Sequence, residues 1–176
     1  MNTPKIELPK NMGFSCQNCG LCCHMQPPDV DLIEQKRIED KGFKDFVEPP
    51  DEAGVCWIRR KDDDSCYFLT KDNKCQIYPI RPAVCRLEPF TIIDYDYENN
   101  TVELAPNFPF SECCPGFKED GKVNRDELVK AVQVLIVKIL ELTADDLKLP
   151  ISDKRVYTET RSRLLRRSVE AADLNL

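Results

Sequence analysis

Ten of the 176 residues are cysteines, and four of them fall within eight positions: Cys16, Cys19, Cys22 and Cys23, a C-x2-C-x2-C-C run. Two cysteines three apart on a turn can direct both sulfurs at one ion, and Gly20 permits the tight backbone that such a knuckle needs. Core packing asks for no such density of small thiols, so the run reads as metal ligation rather than as buried structural cysteine. Cys66, Cys75 and Cys85 form a second, wider group, and Pro79 and Pro82 stiffen the segment between the last two. The third feature is Cys113-Cys114-Pro115-Gly116, where proline fixes the backbone just beyond a remote ligand. His24 is the one histidine, which excludes a His-rich zinc enzyme or a multi-histidine relay; beside Cys23 it is expected to donate a hydrogen bond rather than to ligate.

The spacing also bears on which metal is held. Cys16, Cys19 and Cys22 reproduce the first three positions of the bacterial ferredoxin run, C-x2-C-x2-C-x3-C-P. Gln26 stands at the fourth position, before Pro27, so closure must come from Cys23 or a distant cysteine. Cys75 and Cys85 are therefore expected to line the same region of the folded protein as the N-terminal run. Zinc favours two paired C-x2-C knuckles, and Cys66, Cys75 and Cys85 are too far apart to make the second. The expected cofactor is an iron–sulfur cluster, [4Fe–4S], with zinc as the alternative. Either centre is anionic, about −2 for zinc held by four thiolates. Burying that charge requires donors and cations, which Arg81 and Arg86, bracketing Cys85, are expected to supply. Trp57 and Tyr78 are expected to be core or covering residues.

Composition narrows the class. Hydrophobic residues make up 41% and charged residues 32%, enough apolar material for a core. Lys+Arg 25 against Asp+Glu 31 gives −6, which excludes a globally basic nucleic-acid coat. The first fourteen residues have no apolar run of signal-peptide length, and the apolar stretch over 132–142 is interrupted by Gln133 and Lys138. The expected location is cytoplasmic, off the membrane, where cysteine clusters mean metal more often than disulfide. No Ser/His/Asp set, P-loop, dinucleotide loop or paired-carboxylate signature supports a hydrolase or transferase.

The elements that must position the cysteines follow from local pattern. Residues 1–14 read as a loose arm. Asp31, with Glu34 three residues on, predicts a capped helix whose apolar face is Leu32, Ile33 and Ile38 and whose stop is Gly42. Strands are expected over 55–60 and 66–69 around a Lys-Asp-Asp-Asp-Ser loop, and a second hairpin over 90–94 and 102–104. Residues 106–116 read as irregular. Asn124 caps a helix with Leu128, Val132, Leu135, Ile139 and Leu142 at helical spacing, and Val129, Val134, Ile136 and Val137 widen the stripe toward burial all round. A last helix is expected from Ser152 to about residue 172. The predicted fold is α+β: a small, irregular, metal-organised domain over 1–121 with short hairpins, and a helical C-terminal extension over 122–176 packed on it.

The run Cys16–Cys23, with Gly20 in place, then Cys66, Leu69, Cys75-x-Ile-Tyr78 and Arg81-Pro82-x-x-Cys85-Arg86, resembles the CxxCxxCC family, also called the YkgJ-like cysteine cluster proteins. That family is described as chelating zinc or iron, and the resemblance runs from about residue 14 to 116. It implies that the metal ligands are Cys16, Cys19, Cys22, Cys23, Cys66, Cys75, Cys85 and Cys114, leaving Cys56 and Cys113 as extras. Eight thiolates suit two centres of four, or one centre with structural thiols beside it. The functional expectation is a metal-centre protein acting in electron transfer with a protein redox partner, or as accessory to a redox or modification enzyme, itself an iron–sulfur oxidoreductase or not an enzyme. The competing class is a zinc-stapled, non-enzymatic protein- or RNA-binding module. Arg161, Arg163, Arg166 and Arg167 on the last helix are expected to form a solvated face, RNA contact being the alternative they leave open.

Overall fold

The computed structural model describes residues 3–147, apart from 26, 53, 97, 108, 109, 120 and 121. The last helix with Arg161, Arg163, Arg166 and Arg167, and Gln26 in the cysteine run, lie outside the described residues. The fold is α+β, with short hairpins and a long helix toward the C-terminal end.

Strands β1 (Lys5–Glu7), β4 (Thr101–Pro106) and β3 (Phe90–Asp96) form a three-stranded sheet in that order. β3 and β4 are the expected hairpin, antiparallel with a bulge between Ile92 and Asp94. β1 runs parallel to β4, Ile6 opposite Val102. β2 (Met12–Phe14) pairs antiparallel with β5 (Phe117–Glu119). The arm expected to be loose is therefore two edge strands. Ile6, flanked by Lys5 and Glu7, buries alone while its charged neighbours stay out, a three-residue alternation too short to register as a pattern. A short helix, α4 (Phe110–Cys113), occupies part of the stretch read as irregular.

Helix α5 (Arg125–Leu147) starts where Asn124 predicts: its Oδ1 accepts from the Glu127 N–H at 3.2 Å. Burial is not all round. Leu128, Ala131, Val132, Leu135 and Ile136 face inward against the sheet and α3 (Ala83–Leu87), whereas Val134 is 38% exposed. The β-branched residues that widened the stripe fill its flanks, so the helix is amphipathic. This first core contains Val102 and Val132, both fully buried.

A second core holds the cysteine-bearing half. Phe68 is its centre, with the rings of Phe43, Phe46 and Tyr67 at 5.2, 5.2 and 5.1 Å between centroids. The expected strands over 55–60 and 66–69 do not form ladders. Single bridges replace them: Asp29 with Trp57, Val47 with Ile58, Arg60 with Cys66, Leu69 with Cys75. The reversal at 61–65 is as expected, with the Lys61 N–H donating to Ser65 O at 2.8 Å.

Helix α2 (Leu32–Glu39) carries the capping box the sequence shows: the Glu34 N–H donates to Asp31 Oδ1 at 2.7 Å and the Asp31 N–H to Glu34 Oε2 at 3.3 Å. Its face is not the predicted one. Ile38 is fully buried, but Leu32 and Ile33 are 79% and 80% exposed, and the second inward residue is Glu34 at 3%. Helical spacing allows this, since 34 and 38 are four apart and share a face that 33 does not. Glu34 is tolerated inside because it is fully partnered. Oε2 also takes Lys138 Nζ at 2.7 Å, and Oε1 accepts the Ala83 N–H at 2.7 Å. Lys138 further bonds Asp29 at 3.1 Å.

Removing one side of such a junction strands a buried charge. Lys138→Ala is expected to cost about 3 kcal/mol in urea unfolding, the lower end for breaking a buried pair because Lys138 keeps some exposure. A loss under about 0.5 kcal/mol, the range of ordinary surface substitutions, would show that Glu34 finds other partners.

Candidate metal centre

Five segments converge. The run Cys16–Cys23 is a loop that ends in a short helix, α1 (Cys22–Met25). Gly20 sits at φ +75°, and a side chain there would meet Asn73 at 3.1 Å, so the loop turns tightly against the 70–74 turn. The Cys66 N–H donates to Cys23 O at 2.7 Å, which sets the second group directly on the first. Cys75 is placed by its bridge to Leu69. Cys85 lies in α3, whose first N–H is the one held by Glu34. Cys114 is positioned from the other edge. The Ser15 N–H donates to Gly116 O at 3.0 Å, and any β-carbon at Gly116 would stand 2.6 Å from the Phe14 ring.

Together they wall one pocket of about 540 Å³. Cys16, Cys19, Cys22, Cys23, Cys66, Cys75, Cys85 and Cys114 all line it, with Arg81 and Tyr78. No disulfide joins any of the ten cysteines. The Cys23 thiol has those of Cys22 and Cys66 as hydrogen-bonding neighbours, with its one S–H proton shared between them. As the side chains stand, no three His, Cys, Asp or Glu among the described residues surround a point where one metal ion would fit. The donor set is nevertheless the soft, thiol-only kind that suits zinc or iron–sulfur chemistry. It also contains a buried cation: Arg81 is 9% exposed, pairs with Glu127 Oε1 at 2.7 Å and lies 3.9 Å over the Tyr78 ring.

A model of the CxxCxxCC family, described as a "putative zinc- or iron-chelating domain", matches residues 15–108, more than half of the chain. The chain belongs to the CxxCxxCC family. It is also 28% identical over 170 residues to MJ0661, an uncharacterised protein of Methanocaldococcus jannaschii, an alignment covering 90% of this chain and 84% of that one. No solved structure matches the chain.

The CxxCxxCC match takes in seven of the eight lining cysteines and stops short of Cys114, whose place in the pocket comes from the β2–β5 edge instead. The two extras stay outside the lining. Cys56 is half-buried and packs on the second core, while its backbone oxygen accepts from Val30; Cys113 is exposed on α4. Arg81 lines the pocket, but Arg86 does not. The Arg86 guanidinium donates to Arg81 O at 2.9 Å and Pro79 O at 3.0 Å, bracing the turn (Tyr78–Ile80) ahead of α3. His24 is likewise absent from the lining, and its backbone oxygen accepts from Arg60. Trp57 and Tyr78 are both in the wall, Trp57 tied by its indole N–H to Asp51 at 2.9 Å. Glu88 and Asn107 are among the polar wall residues that went unread in the sequence; an isolated Glu and Asn carry no signal of their own.

Electrostatically the thiols are not alike. Hydrogen bonding with Cys23 holds the Cys22 and Cys66 thiols down to about 7, while Cys23 itself, whose one proton the two share, is pushed up. Burial pushes Cys85 well above its ordinary value and Cys75 above its own, with the neighbouring thiolates adding and Arg81 opposing. Cys114 is raised by burial, then by Cys19, Cys22 and Cys16. Cys22 thus acts on both the inner group (Cys66, Cys75, Cys85) and the outer one (Cys114).

In the reduced, metal-free protein, Cys22 is expected to be alkylated by iodoacetamide with a pH midpoint near 7. Cys23→Ala removes the donor to the Cys22 thiolate, so the midpoint should rise toward the ordinary 9.0. Peptide mass spectrometry of alkylation against pH reads both; an unchanged midpoint in the variant would show that the Cys23 bond is not the cause.

Proposed function

We propose that this CxxCxxCC protein is a cytosolic iron–sulfur protein, its pocket holding a [4Fe–4S] cluster, that passes electrons to a protein partner or serves a redox or modification enzyme. The observation that carries the reading is the convergence of eight thiols from five segments on one pocket with a buried arginine. The ferredoxin-like spacing of Cys16, Cys19 and Cys22 supports iron–sulfur within the zinc-or-iron class.

A bound cluster would supply one-electron chemistry. The chain's own residues would hold and shield it. Cys22, Cys23 and Cys66 offer adjoining thiols, Cys75 and Cys85 stand beside them in the wall, and Cys16, Cys19 and Cys114 complete the lining. Arg81, fixed by Glu127 and Tyr78, offsets thiolate charge without leaving the wall. Metal binding replaces protons on thiols that burial otherwise keeps neutral, so folding of this region and loading are linked.

The zinc-stapled, non-enzymatic reading is favoured by one observation, the hydrogen-bonded Cys22–Cys23–Cys66 group. Anaerobic purification separates the two. A brown protein with a broad visible band, and iron matched by acid-labile sulfide, is the expected result; a colourless protein with stoichiometric zinc would replace it. Cys22→Ser should lower bound metal sharply, because a ligand is lost. Cys56→Ala should keep it and cost about 1 kcal/mol of packing. Equal metal content in wild type and Cys22→Ser would sink the pocket assignment.

A further inference from the structure

Glu88 stands in the pocket wall without a part in the thiol set. It follows α3 as its C-cap, three residues after Cys85. Its Oε1 accepts a hydrogen bond from Asn107 Nδ2 at 3.1 Å, and Asn107 is itself anchored by its backbone N–H on Pro89 O at 2.7 Å. Oε2 is buried and has no hydrogen-bond partner. Native folds rarely leave such an atom unmet, and one in a pocket wall marks where an occupant bonds.

The geometry also says which bond. Oε1 already receives an N–H, so a proton on this carboxyl belongs on Oε2, which makes Oε2 a donor. The acceptors that crowd this pocket are sulfurs, and Cys22 is the one whose charge acts on Glu88. Buried among thiols with one oxygen unmet, the carboxyl is better satisfied as a donor than as a charged acceptor.

We propose that Glu88 is a neutral acid in the loaded protein and donates a hydrogen bond from Oε2 to a sulfur on the Cys22 side of the metal centre. It is a positioning residue: it holds the sulfur and spreads its charge, as donors around thiolate centres do. The proposal rests on the metal reading above.

The test is the rate at which loaded full-length protein loses its metal to excess chelator. Glu88→Gln is isosteric, uncharged and keeps a donor, so it should stay within about twofold of wild type, whereas Glu88→Ala should release metal about tenfold faster. Glu88→Leu fills the space without a donor and carries the same expectation as Glu88→Ala, which it replaces if that variant does not fold. Release from Glu88→Ala or Glu88→Leu at the wild-type rate overturns the proposal. So does Glu88→Gln releasing as fast as they do, which would mean that a carboxylate oxygen is itself the ligand. A wild-type chain that takes up neither iron nor zinc overturns the metal reading first, and this proposal with it; a loaded wild type beside indifferent Glu88 variants overturns this proposal alone.

Discussion

A carboxylate buried to 3% exposure is stable only where every acceptor site is met, and the placing of α2, α3 and α5 depends on meeting those of Glu34. One oxygen takes the first N–H of α3 and the other takes Lys138 from α5. The same side chain closes the capping box of its own helix. Three helices are thereby fixed at one point by directional bonds, which apolar contact alone would leave free to slide. Arg37 extends the junction by donating to Ile80 O and Arg81 O at 3.1 and 3.3 Å. The proline-stiffened stretch that presents Arg81 and Cys85 is therefore held from outside the pocket, leaving the pocket side of the chain for thiols.

The pocket lies on the seam between the two cores. Val84 and Phe14 pack on the first core, Phe68 and Ile77 belong to the second, and all four are in its wall. Neither core extends regular secondary structure across the seam: the second is built on aromatic contacts and single bridges. A centre shared by thiolates from both sides, as proposed, would join the halves covalently where hydrogen-bonded ladders do not. Cysteines spread along the chain rather than confined to one loop would serve that use.

Much of this was legible in the sequence where the signal was local. Asp31 with Glu34 named a cap, Asn124 another, and two short runs around a turn named the β3–β4 hairpin. That Cys75 and Cys85 line the same pocket as the N-terminal run was expected from chemistry, since three ferredoxin-spaced thiols call for a fourth from Cys23 or from afar. What failed was whatever a tertiary partner decides. Leu32 and Ile33 look like core by type, yet Glu34 takes the inward position because Lys138, more than a hundred residues later, stands opposite. Ile6 becomes a strand residue only because β4 offers it an edge. Arg86 and Arg81 look equivalent around Cys85, but α3 turns one toward the thiols and the other back onto its own backbone.

That last distinction shapes the field in the pocket. One buried guanidinium, pinned by Glu127 and Tyr78, faces a wall able to carry several negative charges, so a single cation cannot balance a fully ionised set. The thiols answer by titrating unequally. Cys23 shares its proton between two neighbours, while burial keeps the Cys85 thiol protonated. Cys22 acts on the inner thiols and on Cys114, so ionising it raises the cost of ionising both groups. The two sets therefore cannot be charged independently, and a charge placed on one side is felt on the other.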